Sequence, residues 1–204
     1  MQCEIMEYRK DPAVFGKQIV GIIARCYSKM AEEIKLDPSL SLGHPEILPE
    51  RPLAGEMRKA SEHAARHWQE RVERWKKEMQ FGSKKHLVAL GQDGKAVGSG
   101  AIDIAGKGLL GRGPELFNLY VEPSEQRLGI GSLLLRDLEN FAYDKLAEAG
   151  GEWKVNALSH IYRPTLDFYS KNGYRVFLDE KTLFGQDGFL LPSAPVRKSL
   201  KNYR

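Results

Sequence analysis

Between Leu119 and Leu135 the chain reads LYVEPSEQRLGIGSLLL: an apolar strand, a proline, then a leucine-rich helix with Gly129 and Gly131 in its first turn. Glycine costs a helix roughly 1 kcal/mol relative to alanine, so two of them where the helix nucleates need a reason. Pro123 cannot donate to a strand ladder, which ends the strand near Glu122. The first four amides of the helix that begins around Gly129 lack internal partners, and the helix dipole is positive there. Bare glycine backbone lets a bulky anion approach, and Arg127 adds a cation. The segment is a candidate phosphate or pyrophosphate cradle, although the same glycines would equally permit close helix–strand packing. In both cases a strand feeding straight into a helix demands a layered sheet-and-helix fold.

The flanking pattern extends that layer. Residues 1 to 9 read as a first strand. Phe15, Ile19, Ile22, Cys26, Met30 and Ile34 recur at helical spacing, with Asp11 as N-cap and Pro12 at the first helical position. Pro38, Pro45, Pro49 and Pro52 mark 37–55 as a long irregular loop. A second helix is predicted from Glu56 to Gln80 on a stripe of Met57, Ala60, Ala64, Trp68, Val72, Trp75 and Met79. KHLVAL and AVGSGAIDIA then form a hairpin about Asp93-Gly94. ELFNLYVE is the next strand, and the leucine-rich helix closes at Gly150. WKVNALS is a strand, PTLDFYSKN a short helix from Pro164 to Gly173, and YRVFL with the tail through FLLPSAPVRKSL supplies the last strands. The order predicts one α/β domain of the α+β type over residues 1–204, with a mixed rather than wholly parallel sheet.

Several classes are excluded by composition and motif. No run of eighteen apolar residues exists, so no membrane helix is expected. Glu4 and Glu7 interrupt the place where a signal peptide needs its apolar stretch, and Cys3 and Cys26 fit neither a zinc nor a redox spacing. They read as buried thiols of a cytoplasmic protein. The net charge of +4 is spread through mixed runs such as WQERVERWKKE, which argues against a nucleic-acid surface. GKGLLG, residues 106–111, matches G-x-G-x-x-G formally, but a strand follows it where a phosphate-binding helix would be needed. It reads as a flexible connection. No P-loop is present.

With Gln126, Arg127, Leu128, Gly129, Ile130 and Gly131 in sequence, the cradle resembles the Q/R-x-x-G-x-G/A acyl-CoA signature of the GNAT superfamily of N-acetyltransferases. FYSKNGY, Phe168 to Tyr174, resembles that family's second motif, in the family's order and with a helix and a strand between the two. The likeness covers residues 84–178 and leaves 36–80 longer than the family's usual core. It implies a mostly antiparallel twisted sheet of six or seven strands, split into a V between ELFNLYVE and WKVNALS, with acetyl-CoA entering the V as co-substrate. The pyrophosphate would meet the amides of Gln126 through Ser132. Leu119, Tyr120 and Val121 would line the pantetheine, whose amides pair with main-chain groups of Leu119 and Val121 as an added strand does. Where many members have asparagine before the short helix, this chain has Tyr162, so cofactor contacts from that loop are not expected.

Acetyl transfer to an amine needs a proton acceptor, an oxyanion donor and a proton for the departing thiolate. Glu115 heads its strand on a pleat face shared with Phe117, Leu119 and Val121, where an apolar setting would raise its pKa and suit a general base. A solvated strand-end glutamate is the plainer alternative. Tyr169 stands where the resemblance implies a general acid, and a packed aromatic face of the short helix is its alternative. An amide near Leu119 would stabilise the oxyanion. His63 and His67 lie four apart on the second helix with Glu70 one turn later, but the H-E-x-x-H pattern is not matched, so two surface histidines and no metal are expected. Trp68 and Trp75 read as core, and the proline-rich loop with its helix as a lid over the acceptor. The expected activity is direct acetyl transfer to a primary amine; a non-catalytic acyl-CoA-sensing module is the alternative. The protein is expected as a monomer or homodimer, with FLLP able to pair across a dimer.

Overall fold

A computed structural model describes residues 3–8, 12–42, 52–78, 80, 82–105, 110, 113–147, 153–186 and 189–200. The expected caps Asp11 and Gly150, Met79, Pro45 and Pro49 of the proposed lid, and most of GKGLLG lie outside the described residues.

Strand β1 (Glu4–Glu7) precedes the long helix α1 (Pro12–Leu36), and a 3-10 turn at Pro38–Leu40 follows it. The predicted second helix is two: α2 (Leu53–Arg66) and α3 (Trp68–Glu78), interrupted at His67. The break involves neither glycine nor proline. It wraps Val72 and Trp75 onto the start of α1, where a Cβ on Gly16 would lie 2.4 Å from Val72 Cγ2. Further along, Ser61 of α2 bonds Ser28 at 2.9 Å and donates to the Ala24 carbonyl at 2.8 Å. Because the apolar stripe runs unbroken through the interruption, periodicity alone could not reveal it.

The remaining elements are β2 (Lys84–Leu90), β3 (Ala96–Asp103), β4 (Glu115–Val121), α4 (Ile130–Ala147), β5 (Lys154–His160), α5 (Arg163–Lys171), β6 (Arg175–Val176), β7 (Thr182–Gln186) and β8 (Phe189–Ser199). Among the described residues eight strands, rather than six or seven, form one sheet in the order β1-β2-β3-β4-β5-β8-β6, with β7 on β8. All pairs are antiparallel except β4 with β5. The tail supplies the additional strand by folding back as the β7–β8 hairpin. FLLP is therefore no open edge: Phe184 faces Leu191, Leu183 faces Pro192, and the Leu190 amide donates to Glu56 at 2.7 Å. That removes the expected strand pairing across a dimer.

Two cores sandwich the sheet. On one face α1, α2 and α3 bury Ile23, Met57, Trp75 and Tyr8 against Val88; on the other α4 and α5 bury Leu134, Leu138 and Leu166 against Ile102 and Val155. Each fully buried Leu or Ile contributes roughly 1.5–3 kcal/mol. Cys26 is buried in the first core, whereas Cys3 is only half-buried. Among the described residues no helix is long and apolar enough to cross a membrane.

The sheet's midline positions the site. β4 and β5 pair only at Glu115 with Asn156 and Leu116 with Ala157, and beyond these they diverge. The divergence begins where β4 carries an extra residue: Phe117 faces Ala101 and Tyr120 faces Ser99, so three steps oppose two. Asn118, with φ of 55°, takes up the bulge.

Candidate active site

Helix α4 begins at Ile130, between the two glycines, where the sequence predicts the anion cradle. Arg127 (φ 68°) and Gly129 (φ 84°) turn the chain after a 3-10 turn at Pro123–Glu125. The Gly129 carbonyl accepts from the Leu133 amide at 3.0 Å, which leaves the amides of Ile130, Gly131 and Ser132 without helical partners. Arg127, Leu128, Gly129 and Ser132 are exposed. The two glycines have different reasons. A Cβ on Gly129 would meet nothing within 4 Å, so its backbone angle is the demand there. A Cβ on Gly131 would press on the Phe168 ring at 3.2 Å, so close packing on α5 is the demand there. From this terminus a groove of about 450 Å³ runs past Ser132 and Arg136 to Asn172 and Lys198. Its floor holds Glu139, 1 % exposed, which accepts from Tyr174 Oη at 2.7 Å and Lys198 Nζ at 2.8 Å.

Gln126 turns inward rather than toward the groove. Its Nε2 donates to the Val121 carbonyl at 3.1 Å and its Oε1 accepts from Lys29 at 2.7 Å, fastening the loop to β4 and α1. The Cys26 thiol donates to the same carbonyl at 3.2 Å, and burial pushes its pKa up to about 12. The Glu122 amide bonds Val97 of β3, so strand alternation turns the main-chain groups of Leu119 and Val121 into the gap beside β5.

The bulge also re-sorts the side chains of β4. Phe117 meets His86 on the α1 face, yet Leu119 and Val121 pack with the α4 core and Tyr120 with the α1 core. The shared pleat face expected for Glu115, Phe117, Leu119 and Val121 is thus corrected: the extra residue at Asn118 switches sides halfway. Glu115 lies at the closed end of the gap, opposite Asp103 and Asn156. Tyr169 lies on the α4 side, 7 % exposed and edge-on to Phe168 and Tyr174. Burial holds its phenol well above the ordinary value, and the nearby Tyr120 raises it further. Tyr162 points to α1 instead, bonding Glu33, while Ser41 bridges its backbone and Leu42 donates to Ile161.

Across the open end of the gap runs a chain of polar groups. Tyr120 Oη lies 3.0 Å from Tyr27 Oη, which lies 3.1 Å from His160 Nε2; His160 Nδ1 lies 3.1 Å from Ser193 Oγ. Ser193 donates to the Leu191 carbonyl, so it accepts from Nδ1–H. His160 then accepts at Nε2 from Tyr27, and Tyr27 accepts from Tyr120. The Tyr120 oxygen is left with free lone pairs at the head of a one-way chain. Burial pushes His160 down to about 4 and raises Tyr27 and Tyr120, so all three are neutral near pH 7. Tyr27, His160 and the Tyr120 side chain were not identified as proton handlers from the sequence. They lie 93 and 133 residues apart, and within α1 Tyr27 is one more apolar-face residue.

His63 and His67 do not converge on a metal site. Their rings stack at 4.5 Å, Glu70 pairs with His67 at 3.4 Å, and among the described residues no three His, Cys, Asp or Glu side chains group as metal ligands.

Comparisons with known proteins bear on the family and the fold. A family model described as an acetyltransferase (GNAT) domain matches residues 56–188. No curated protein matches the sequence. A GNAT-family acetyltransferase from Staphylococcus aureus Mu50 superposes with a TM-score of 0.57 at 13% identity, covering 98% of this chain and 100% of its own. An acetyltransferase from Streptococcus agalactiae 2603 gives 0.57 at 18% identity, covering 96% and 97%. An aminoglycoside 6'-N-acetyltransferase complexed with coenzyme A gives 0.51 at 17% identity, covering 97% of each chain. At such identities the likeness is one of fold.

Proposed function

Because this chain belongs to the acetyltransferase (GNAT) domain family, we propose that it transfers an acetyl group from acetyl-CoA to a primary amine, directly, in a ternary complex. One observation carries the reading: the bulged β4 opens a gap with an unpaired helix N-terminus at its end, a phenol on one side and a proton-accepting chain on the other. The neighbour complexed with coenzyme A shares this fold, which supports the choice of co-substrate.

The amides from Gln126 to Ser132 hold the pyrophosphate, with Arg127 beside them and Leu128, Gly129, Ile130 and Gly131 forming the turn. The Leu119 carbonyl and Val121 amide pair with pantetheine; the Val121 carbonyl is already satisfied by Gln126 and Cys26. An amide beside the bulge, near Leu119, receives the oxyanion. Tyr169 gives its proton to the departing thiolate. Its raised pKa is no obstacle in itself, since a thiolate in the same dry pocket is lifted by the same desolvation.

Two groups compete for the amine's proton. Glu115 could take it from the closed end of the gap, but Tyr120 stands at the open end with lone pairs free. We favour the chain. The nitrogen's proton passes to Tyr120 Oη as the Tyr120 proton moves to Tyr27 and the Tyr27 proton to His160 Nε2. Ser193 keeps Nδ1–H in place throughout. Because burial holds His160 near 4, it keeps the proton from Tyr27 only transiently and passes it to solvent as the chain resets. Of the two protons the ammonium loses, one restores Tyr169 and the other leaves this way.

The test is acetyl-CoA-dependent acetylation of an amine panel by wild type, Tyr169→Phe, Tyr120→Phe and Glu115→Gln. Tyr169→Phe and Tyr120→Phe are expected to lower kcat about 10²-fold or more with acetyl-CoA affinity unchanged, and Glu115→Gln far less. Acetyl-CoA binding without turnover on any amine would make this a sensing module instead.

A further inference from the structure

α3 carries a cation, Arg71, whose buried Nε has no partner among the described residues. The Arg71 side chain is half-buried, its Nε is shielded from solvent, and no hydrogen-bond partner reaches that nitrogen. Charged side chains that enter a protein interior normally come paired. No described residue bonds the Arg71 Nε, although Arg25, Lys29, Lys59 and Arg197 each hold an acidic or amide oxygen. Its charge reaches the open end of the gap, where it acts on both Tyr27 and Tyr120, and on His63 of α2.

Two acidic groups on that side are already paired. Glu122 is bound by Arg25 at 2.6 Å, and Glu33 accepts from Tyr162 and lies 3.8 Å from Lys29. The groups that would meet the acceptor nitrogen, two phenols and an imidazole, carry no charge near pH 7. Among the described residues one carboxylate oxygen, Oε2 of Glu125 on the 3-10 turn beyond β4, is buried without a partner; at the phenols and imidazole themselves a purely cationic acceptor would meet the positive field of Arg71. An acceptor that brings its own anion would find that anion's partner waiting.

We propose that the acceptor is an amine bearing a carboxylate, an amino-acid-like zwitterion, with its nitrogen at Tyr120 and its carboxylate on the guanidinium of Arg71. The proposal rests on the acetyl-transfer reading above and names the substrate class of that site. A guanidinium suits this task because its planar fork bonds both carboxylate oxygens at once. Binding then gives the Arg71 Nε the partner that no described residue supplies.

The experiment compares amino acids with their carboxamides, with butylamine and spermidine as amines that carry no anion. All are assayed by acetyl-CoA-dependent acetylation with wild type, Arg71→Gln and Arg71→Lys. Wild type is expected to prefer the carboxylates at least about tenfold in kcat/KM, the scale on which losing one partner of a shielded charge pair is felt. Arg71→Gln should abolish the preference by raising KM for the carboxylates alone, with kcat within about twofold, and Arg71→Lys should restore part of it. Equal turnover of acids and carboxamides, a preference for spermidine or butylamine, or a preference that survives Arg71→Gln would each overturn the proposal while leaving acetyl transfer intact. No turnover with any amine, together with no thermal shift from acetyl-CoA, would overturn the acetyl-transfer reading and this one with it.

Discussion

His86 and His160 are buried in one molecule, and burial pushes each down to about 4. An unfolded chain protonates histidine near pH 6.5, whereas the folded chain refuses that proton until about 4. The unfolded state therefore binds more protons in between, and stability is full above pH 6.5 and drains as pH falls toward 4. The loss is about 3 kcal/mol for each histidine. Urea denaturation at pH 7 and at pH 4.5 should show a drop that shrinks by about half in His160→Gln; an unchanged drop would place His160 in contact with solvent. These residues also mark where sequence reading stops. Tyr169 could be singled out because it stands inside a local pattern, FYSKNGY. His160 and Tyr27 belong to no local pattern, since their proximity exists only once α1 lies across β5. Arg71 was one charge in a mixed run, and the burial of its Nε without a partner among the described residues is a property of three dimensions alone.

Among the elements, the first turn of α4 was legible because backbone demands are written in glycine. Gly129 sits at φ 84° with open space where a side chain would go. Gly129→Ala should cost about 1–2 kcal/mol from the left-handed angle alone. Gly129→Asn, which tolerates that angle, should recover most of it in thermal melts. A Gly129→Asn as unstable as Gly129→Ala would show that bulk, not angle, is excluded there. The break at His67 was illegible because the stripe from Met57 to Trp75 stays in phase on both sides of it. The bulge in β4 did leave a trace. Asn118 is the one amide side chain within ELFNLYV, and asparagine is among the few residues that accept a positive φ. Only the strand alternation read through it, unbroken, put Glu115 on the wrong face.

At the scale of the molecule, the sheet is two contiguous pieces of chain. β1 to β4 come from residues 4–121 and β5 to β8 from 154–199, and they join through two residue pairs. The mixed topology was readable because only one crossover helix, α4, separates strands that must run parallel. A ligand in the gap adds a bridge between the pieces: acetyl-CoA at a hundred times its Kd should raise stability by about 2.7 kcal/mol. Calorimetry with and without acetyl-CoA checks this, and an unmoved transition would count against a cofactor in the gap. The narrow join also has a consequence in time. A cofactor held across two residue pairs would act as a latch: it would slow the chain's departure from the native state without hastening its arrival there.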